Sequence, residues 1–254
     1  MKLAPSLEAF YQQLKTEFLK SCAGEEINSE DVSGIQFLVA LPAHPTIKDT
    51  KFISLHNKIR MLGMLFCQPQ HDLAKKQVIP NLPYFHVRSG RNINFYCCGY
   101  GEHPDLQDYR DKQQVCRIDD MEWLFSVVAF NEFREEMETK TRWKYSGEVD
   151  LLITDARLNT VTEQAELDFS SVVVCNLNAM VRDKTIPSIA SFFEGIFGYA
   201  ESQNELDPIW GFSDKMGLEK TGLSIRRAIL SLLPKNLGAD VERLAHLAVR
   251  DVSK

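Results

Sequence analysis

Two arginines, Arg88 and Arg91, bracket the dipeptide Ser89-Gly90. Guanidinium groups at a tight turn bind phosphate or carboxylate through paired N–H donors, so this turn is a candidate site for a small anionic ligand. Asp150 marks a second candidate. It opens the apolar run Leu151-Leu152-Ile153, with Glu148 just before it and Glu166 and Asp168 ahead of the next apolar run. Carboxylates brought together on neighbouring strands hold a divalent cation such as Mg²⁺ and activate water on it. The third candidate is a loop, ESQNELDPIWGFSDKMG, whose aromatics Trp210 and Phe212 suit a protein partner.

Other familiar chemistries find little support. The six cysteines, Cys22, Cys67, Cys97, Cys98, Cys116 and Cys175, form no C-x-x-C, so neither a zinc ribbon nor a redox pair is signalled. Cys97 and Cys98 are neighbours on an expected strand and point to opposite faces. The stretch from Cys98 to His103 brings a Cys, a Glu and a His together, the minimal set for a thiol nucleophile. The histidines are scattered with no H-E-x-x-H, and P-loop, G-x-G-x-x-G and G-x-S-x-G motifs are absent.

Composition sets the frame. With 44% hydrophobic and 25% charged residues the chain is an ordinary globular sequence, and no apolar run is long enough to span a bilayer. A net charge of −6 argues against a dedicated nucleic-acid binder. Residues 102–138 carry eleven acids against four bases, whereas 221–254 carry six bases against three acids, so nucleic acid would be met only indirectly or through the basic C-terminal region. The amphipathic start and the unpaired cysteines suggest a cytoplasmic, prokaryotic protein.

The elements that must position these residues follow from periodicity. Ser6 caps a helix with the stripe Leu7, Phe10, Tyr11, Leu14 and Phe18. A buried strand is expected at 34–42, a helix at 51–66 and a loop to Pro83. Residues 84–100 read as a β-hairpin turning at Ser89-Gly90-Arg91. A helix at 119–138 has an apolar face that changes sides, which suggests contacts with two different layers or with a partner. Strands follow at 149–153 and 167–177. A helix at 187–201 has one apolar stripe and a second face carrying Gly195 and Gly198. Further helices start near Thr221 and Asp240. The fold class is α/β or α+β, a mixed sheet with flanking helices and a helical C-terminal tail. The chain divides either into units 1–142 and 143–254 or not at all.

Two segments resemble known families. PYFHVRSGRNINFYCCGYG resembles the second half of a thioredoxin-like fold; the resemblance implies a redox-silent version, because ALPAHPTIKDTK after the first strand holds no cysteine. GEVDLLI, within residues 130–201, resembles the PD-(D/E)XK nuclease core. That resemblance implies Asp150 as the first metal-binding Asp, Glu135 or Glu136 as an upstream helical acid, and FFEGIFGYAE as the helix after the active-site strand. The sequence departs from the family at Val174-Cys175-Asn176, where Glu-x-Lys belongs. The expectation is therefore a non-catalytic binding or accessory subunit of an intracellular multi-protein assembly, without a cofactor of its own. The alternatives are a metal-dependent nuclease or phosphodiesterase using Asp150 with Glu148, Glu166 or Asp168, and an anion sensor at Arg88 and Arg91.

Overall fold

The computed structural model describes residues 1–22, 59–89, 93–159, 164–170, 172–206 and 247–254. Strands β1 (Lys2–Ala4), β2 (Ile59–Phe66), β3 (Asn94–Cys98), β7 (Asp150–Asn159), β8 (Gln164–Leu167), β9 (Val172–Asn176) and β10 (Leu247–Arg250) form one mixed sheet. Its order is β1-β3-β2-β7-β9-β10, with β8 beside the far half of β7. β1, β3 and β2 are parallel, and the remaining strands alternate in direction. The fold is thus mixed-sheet α+β, as the patterning implies, and the sheet draws strands from both sides of residue 142.

Helices cover both faces. Phe95 and Tyr96 are successive residues of β3 and point opposite ways. Tyr96 meets Phe10 of α1 (Leu7–Cys22) at 4.8 Å, and Phe10 in turn meets Phe133 of α3 (Val127–Lys140). Phe95 meets Phe193 of α5 (Ile189–Leu206) at 4.7 Å, and Phe193 stacks on Phe85 of α2 (Leu82–Arg88) at 4.4 Å. On α1, Leu7, Phe10, Leu14 and Phe18 are buried as their spacing requires and Tyr11 is half-buried, and Ser6 accepts from the Ala9 N–H. On α5, Ile189, Phe192, Phe193, Ile196 and Phe197 are all buried, each contributing about 2 kcal/mol. Among the described residues nothing lies within 4 Å of a Cβ built on Gly198, so nothing packs closely there.

Several elements differ from their sequence reading. The hairpin at 84–100 is not one. Tyr84–Arg88 lies in α2, because Pro83 sits in a first helical turn, where a missing N–H is harmless. Asn94–Cys98 is strand and runs parallel to its neighbours, while Tyr100 belongs to a separate short strand. Before α2 the chain is already helical, as a π-helical turn (Ala74–Val78) and a 3₁₀ turn (Ile79–Asn81) broken up by Pro80. The helix expected at 51–66 is strand β2 over 59–66. Its Leu and Met residues favour a helix, but the run is central in the sheet and covered on both faces. Where the thioredoxin-like reading expected a hairpin, residues 84–88 supply a helix and residues 94–98 a parallel strand. After β2 stands a single buried cysteine, Cys67, whose thiol is pushed up to about 12 by burial.

The two-sided helix at 119–138 is two elements. Met121, Leu124 and Phe125 belong to strand β6 (Met121–Phe125), which joins β4 (Tyr100–Gly101) and β5 (Gln113–Ile118) in a separate small sheet. Ser126 breaks the chain and caps α3, accepting from the Ala129 N–H and donating to Asp111. The helix proper then buries a single stripe, Ala129, Phe130, Phe133 and Met137. The change of face that suggested a partner is a strand-to-helix junction. At the C-terminus Ala248, expected in a helix, lies in β10. The strand expected at 34–42 and the helix starting near Thr221 fall outside the described residues. Among the described residues no helix is long and apolar enough to cross a membrane.

Candidate functional site

The C-terminal segment organises the site. Val252 donates its N–H to the Phe169 carbonyl between β8 and β9 and accepts from the Arg142 N–H just beyond α3. A bridge between Thr141 and Ser253 completes the seam. The chain from Arg142 to Val149 then crosses the sheet end and enters β7 through Gly147, whose φ of +87° suits glycine. An aromatic group fixes this crossing: Trp143 lies 4.5 Å from Phe66, and Tyr145 lies 5.4 Å from Phe130. The Tyr145 hydroxyl donates to the Glu148 carbonyl, and the Tyr145 N–H donates to Glu138.

These elements enclose a cleft of about 480 Å³. Its floor holds Asp150, Val174 and Asn176, and its rim carries Arg142, Lys144 and Arg250. Asp150 and Asn176 are direct cross-strand partners. Asp150 is only 2% exposed. Its Oδ1 accepts from the Ser146 hydroxyl at 2.6 Å and its Oδ2 from the Ser146 N–H at 2.8 Å. Burial raises its pKa above the ordinary aspartate value, and those two hydrogen bonds only partly offset it. Asn176 accepts from the Ala179 N–H and so caps α4 (Leu177–Arg182). On the rim, Asp251 is held below the ordinary aspartate value first by the Ser253 hydroxyl and N–H and least by the charge of Arg142, and the Lys144 ammonium is 3.4 Å from Glu138. Arg250 is exposed and forms no ion pair among the described residues.

The other acids of the metal-site reading do not join Asp150. Glu148 is partly buried beside it but outside the cleft lining. Glu166 sits opposite Arg157, seven residues along β7, which at about 3.3 Å per residue is roughly 23 Å away. There its carboxylate is held low by the Asn159 amide and then by Arg157. Asp168 accepts from the Ser170 N–H and hydroxyl and stands near Asp155, not Asp150. The upstream acids Glu135 and Glu136 pair with Arg134 and Lys140 along α3. Opposite Asp150, where that chemistry needs a second carboxylate, stands Asn176. Among the described residues no three His, Cys, Asp or Glu side chains are placed to share a metal ion, so this arrangement does not fit Mg²⁺.

Arg88 is engaged elsewhere. It donates to Glu194 at 2.8 Å and lies over the Phe197 ring at 5.4 Å, and Tyr84 donates to the same carboxylate. Arg91, Trp210 and Phe212 lie outside the described residues. Cys98 is fully buried, its thiol pushed well above the ordinary value by burial, while His103 is exposed. A larger cleft of about 640 Å³ lies between α1, α3 and β8. Its charges are largely matched: Lys140 pairs with Glu136 and covers Tyr11, and Glu166 pairs with Arg157.

Sequence reasoning missed Ser146, Arg142, Lys144 and Arg250. The only available signal was Asn176, visible as the residue standing where a catalytic carboxylate would be. It also missed Asp155, an acid in the middle of the apolar strand LLITDARL, which is buried with Oδ1 lacking a hydrogen-bond partner. Searches against protein-family models, curated proteins and solved structures gave no match.

Proposed function

We propose that this chain acts by binding, as a non-catalytic subunit of a cytoplasmic assembly, and that the cleft over Asp150 is its ligand seat. One observation carries the seat: a buried carboxyl at the floor of a cleft, facing an amide-bearing Asn176 and rimmed by three cations. Convergent polar groups in a concave site of this size are the ordinary mark of ligand recognition. Two carboxylates, Asp150 and Asp251, outnumbered by three cations are poorly equipped to hold a divalent metal, which favours binding over the metal-dependent alternative. Membership of an assembly rests on the sequence reading alone.

Two experiments test this. In ¹H–¹⁵N spectra recorded against a fragment library, hits should move the signals of Ser146, Asp150, Asn176 and Arg250 together. A library whose hits consistently leave all four unmoved would remove the cleft from the reading. Tagged protein purified from its host should bring down a stoichiometric protein partner; recovery of the chain alone argues against the subunit role.

A further inference from the structure

We infer that the ligand of the Asp150 cleft is a small free organic oxyanion, a phosphate or carboxylate that also carries an N–H or O–H donor. The inference rests on the ligand seat proposed above and deepens it. Three cations, Arg142, Lys144 and Arg250, line the cleft against two carboxylates, Asp150 and Asp251. The chain as a whole carries −6. A locally positive cleft on an acidic molecule focuses anions into itself. Lys144 is partly occupied by Glu138, whereas Arg250 is exposed and forms no ion pair among the described residues, so Arg250 is the guanidinium best placed to take the oxyanion through paired donors.

The floor sets the second requirement. Each Asp150 oxygen accepts one hydrogen bond from Ser146 and retains capacity for another. A hydroxyl or amine on the ligand would fill it, and a bare anion would leave that buried capacity unused. The small volume and the surrounding negative charge favour a free small molecule over a nucleic-acid backbone, whose further phosphates would be repelled outside the cleft.

Calorimetric titration of the full chain at low salt tests this, with glycerol 3-phosphate, inorganic phosphate, glycerol and oligothymidylate as probes. The expected order is glycerol 3-phosphate tighter than phosphate, with no saturable binding of glycerol. Arg142→Ala/Arg250→Ala should weaken both anions at least about tenfold. Both side chains are exposed, so an unchanged circular dichroism spectrum and Tm will show that the fold survives. Asp150→Asn should weaken glycerol 3-phosphate more than phosphate. Absence of saturable anion binding below about 10 mM overturns the inference, as does equal affinity in the double variant. Tighter binding of oligothymidylate than of either small anion, lost in the double variant, overturns the free-ligand assignment. Uncharged fragments that move the cleft signals while both anions fail overturn the ligand class and leave the seat standing. Anions and fragments that all leave those signals unmoved overturn both.

Discussion

Asp155→Asn should make the protein more stable, and increasingly so as pH rises. Asp155 is 3% exposed on β7, opposite Met61, and its Oδ1 has no hydrogen-bond partner. Burial first, and then the neighbouring Asp168 carboxylate, raise its pKa from 3.8 to about 7. Below pH 3.8 both folded and unfolded chains hold the proton, and the group affects stability little. Between 3.8 and about 7 the unfolded chain releases it while the folded chain keeps it, so stability falls as pH rises. The full shift corresponds to about 4 kcal/mol, of which about 2.5 kcal/mol accrues between pH 5 and pH 8. Other groups act in the opposite direction: Glu166 and Glu194, held low first by Asn159 and Tyr84 respectively, favour the fold at neutral pH and lose that contribution as pH falls. The informative quantity is therefore the variant's unfolding free energy minus the wild type's, from urea titrations at pH 5 and pH 8. That difference should grow by about 2–3 kcal/mol toward pH 8. Asp168→Asn, which removes only the smaller cause, should reduce the wild-type slope without abolishing it. A difference constant to within about 0.5 kcal/mol, or one that shrinks toward pH 8, would refute the reasoning.

Gly63→Ala should destabilise the central strand by about 1–3 kcal/mol, read as a lower urea midpoint at unchanged slope. A Cβ there would sit 2.3 Å from Phe95 Cδ1, and Phe95 is itself packed against Phe193 and Phe197. Native-state alkylation mapped by mass spectrometry should leave Cys67, Cys97, Cys98 and Cys175 unmodified while partly exposed Cys116 reacts first, because burial keeps these thiols protonated. Native labelling of Cys98 as fast as Cys116 would contradict the packing of β3.

What the sequence showed correctly were elements whose local signal agrees with their place in the fold. The α1 and α5 stripes and strands β7 and β9 are of that kind. The misreadings have separate causes, and in one of them burial on both faces erases periodicity. From Met61 to Phe66, MLGMLF, β2 is apolar throughout because it is covered from both sides, so its Leu and Met propensities were left to suggest a helix. Tyr84–Arg88 has strand composition, but its position after Pro83 and against Phe193 makes it helical. At 119–138 two single-faced elements, joined at Ser126, imitate one two-faced helix.

The candidate site was legible only at Asp150, because its other parts come from distant stretches of chain. Arg250 arrives with the last strand and Arg142 with the end of α3, and they meet only because Val252 is stitched to both Phe169 and Arg142. The two aspartates of β7 show the same limit. Asp150 and Asp155 are five residues apart, which places them on opposite faces of the strand, and both are buried. Sequence presents them as equivalent acids in one apolar run. Their surroundings separate them: Ser146 supplies a donor to each oxygen of Asp150, whereas Asp155 has Asp168 beside it and an oxygen with no partner. An ionised Asp150 is therefore compensated where it stands and can serve a ligand. An ionised Asp155 strains the fold, and replacing it should relieve that strain while leaving anion binding at the cleft unchanged.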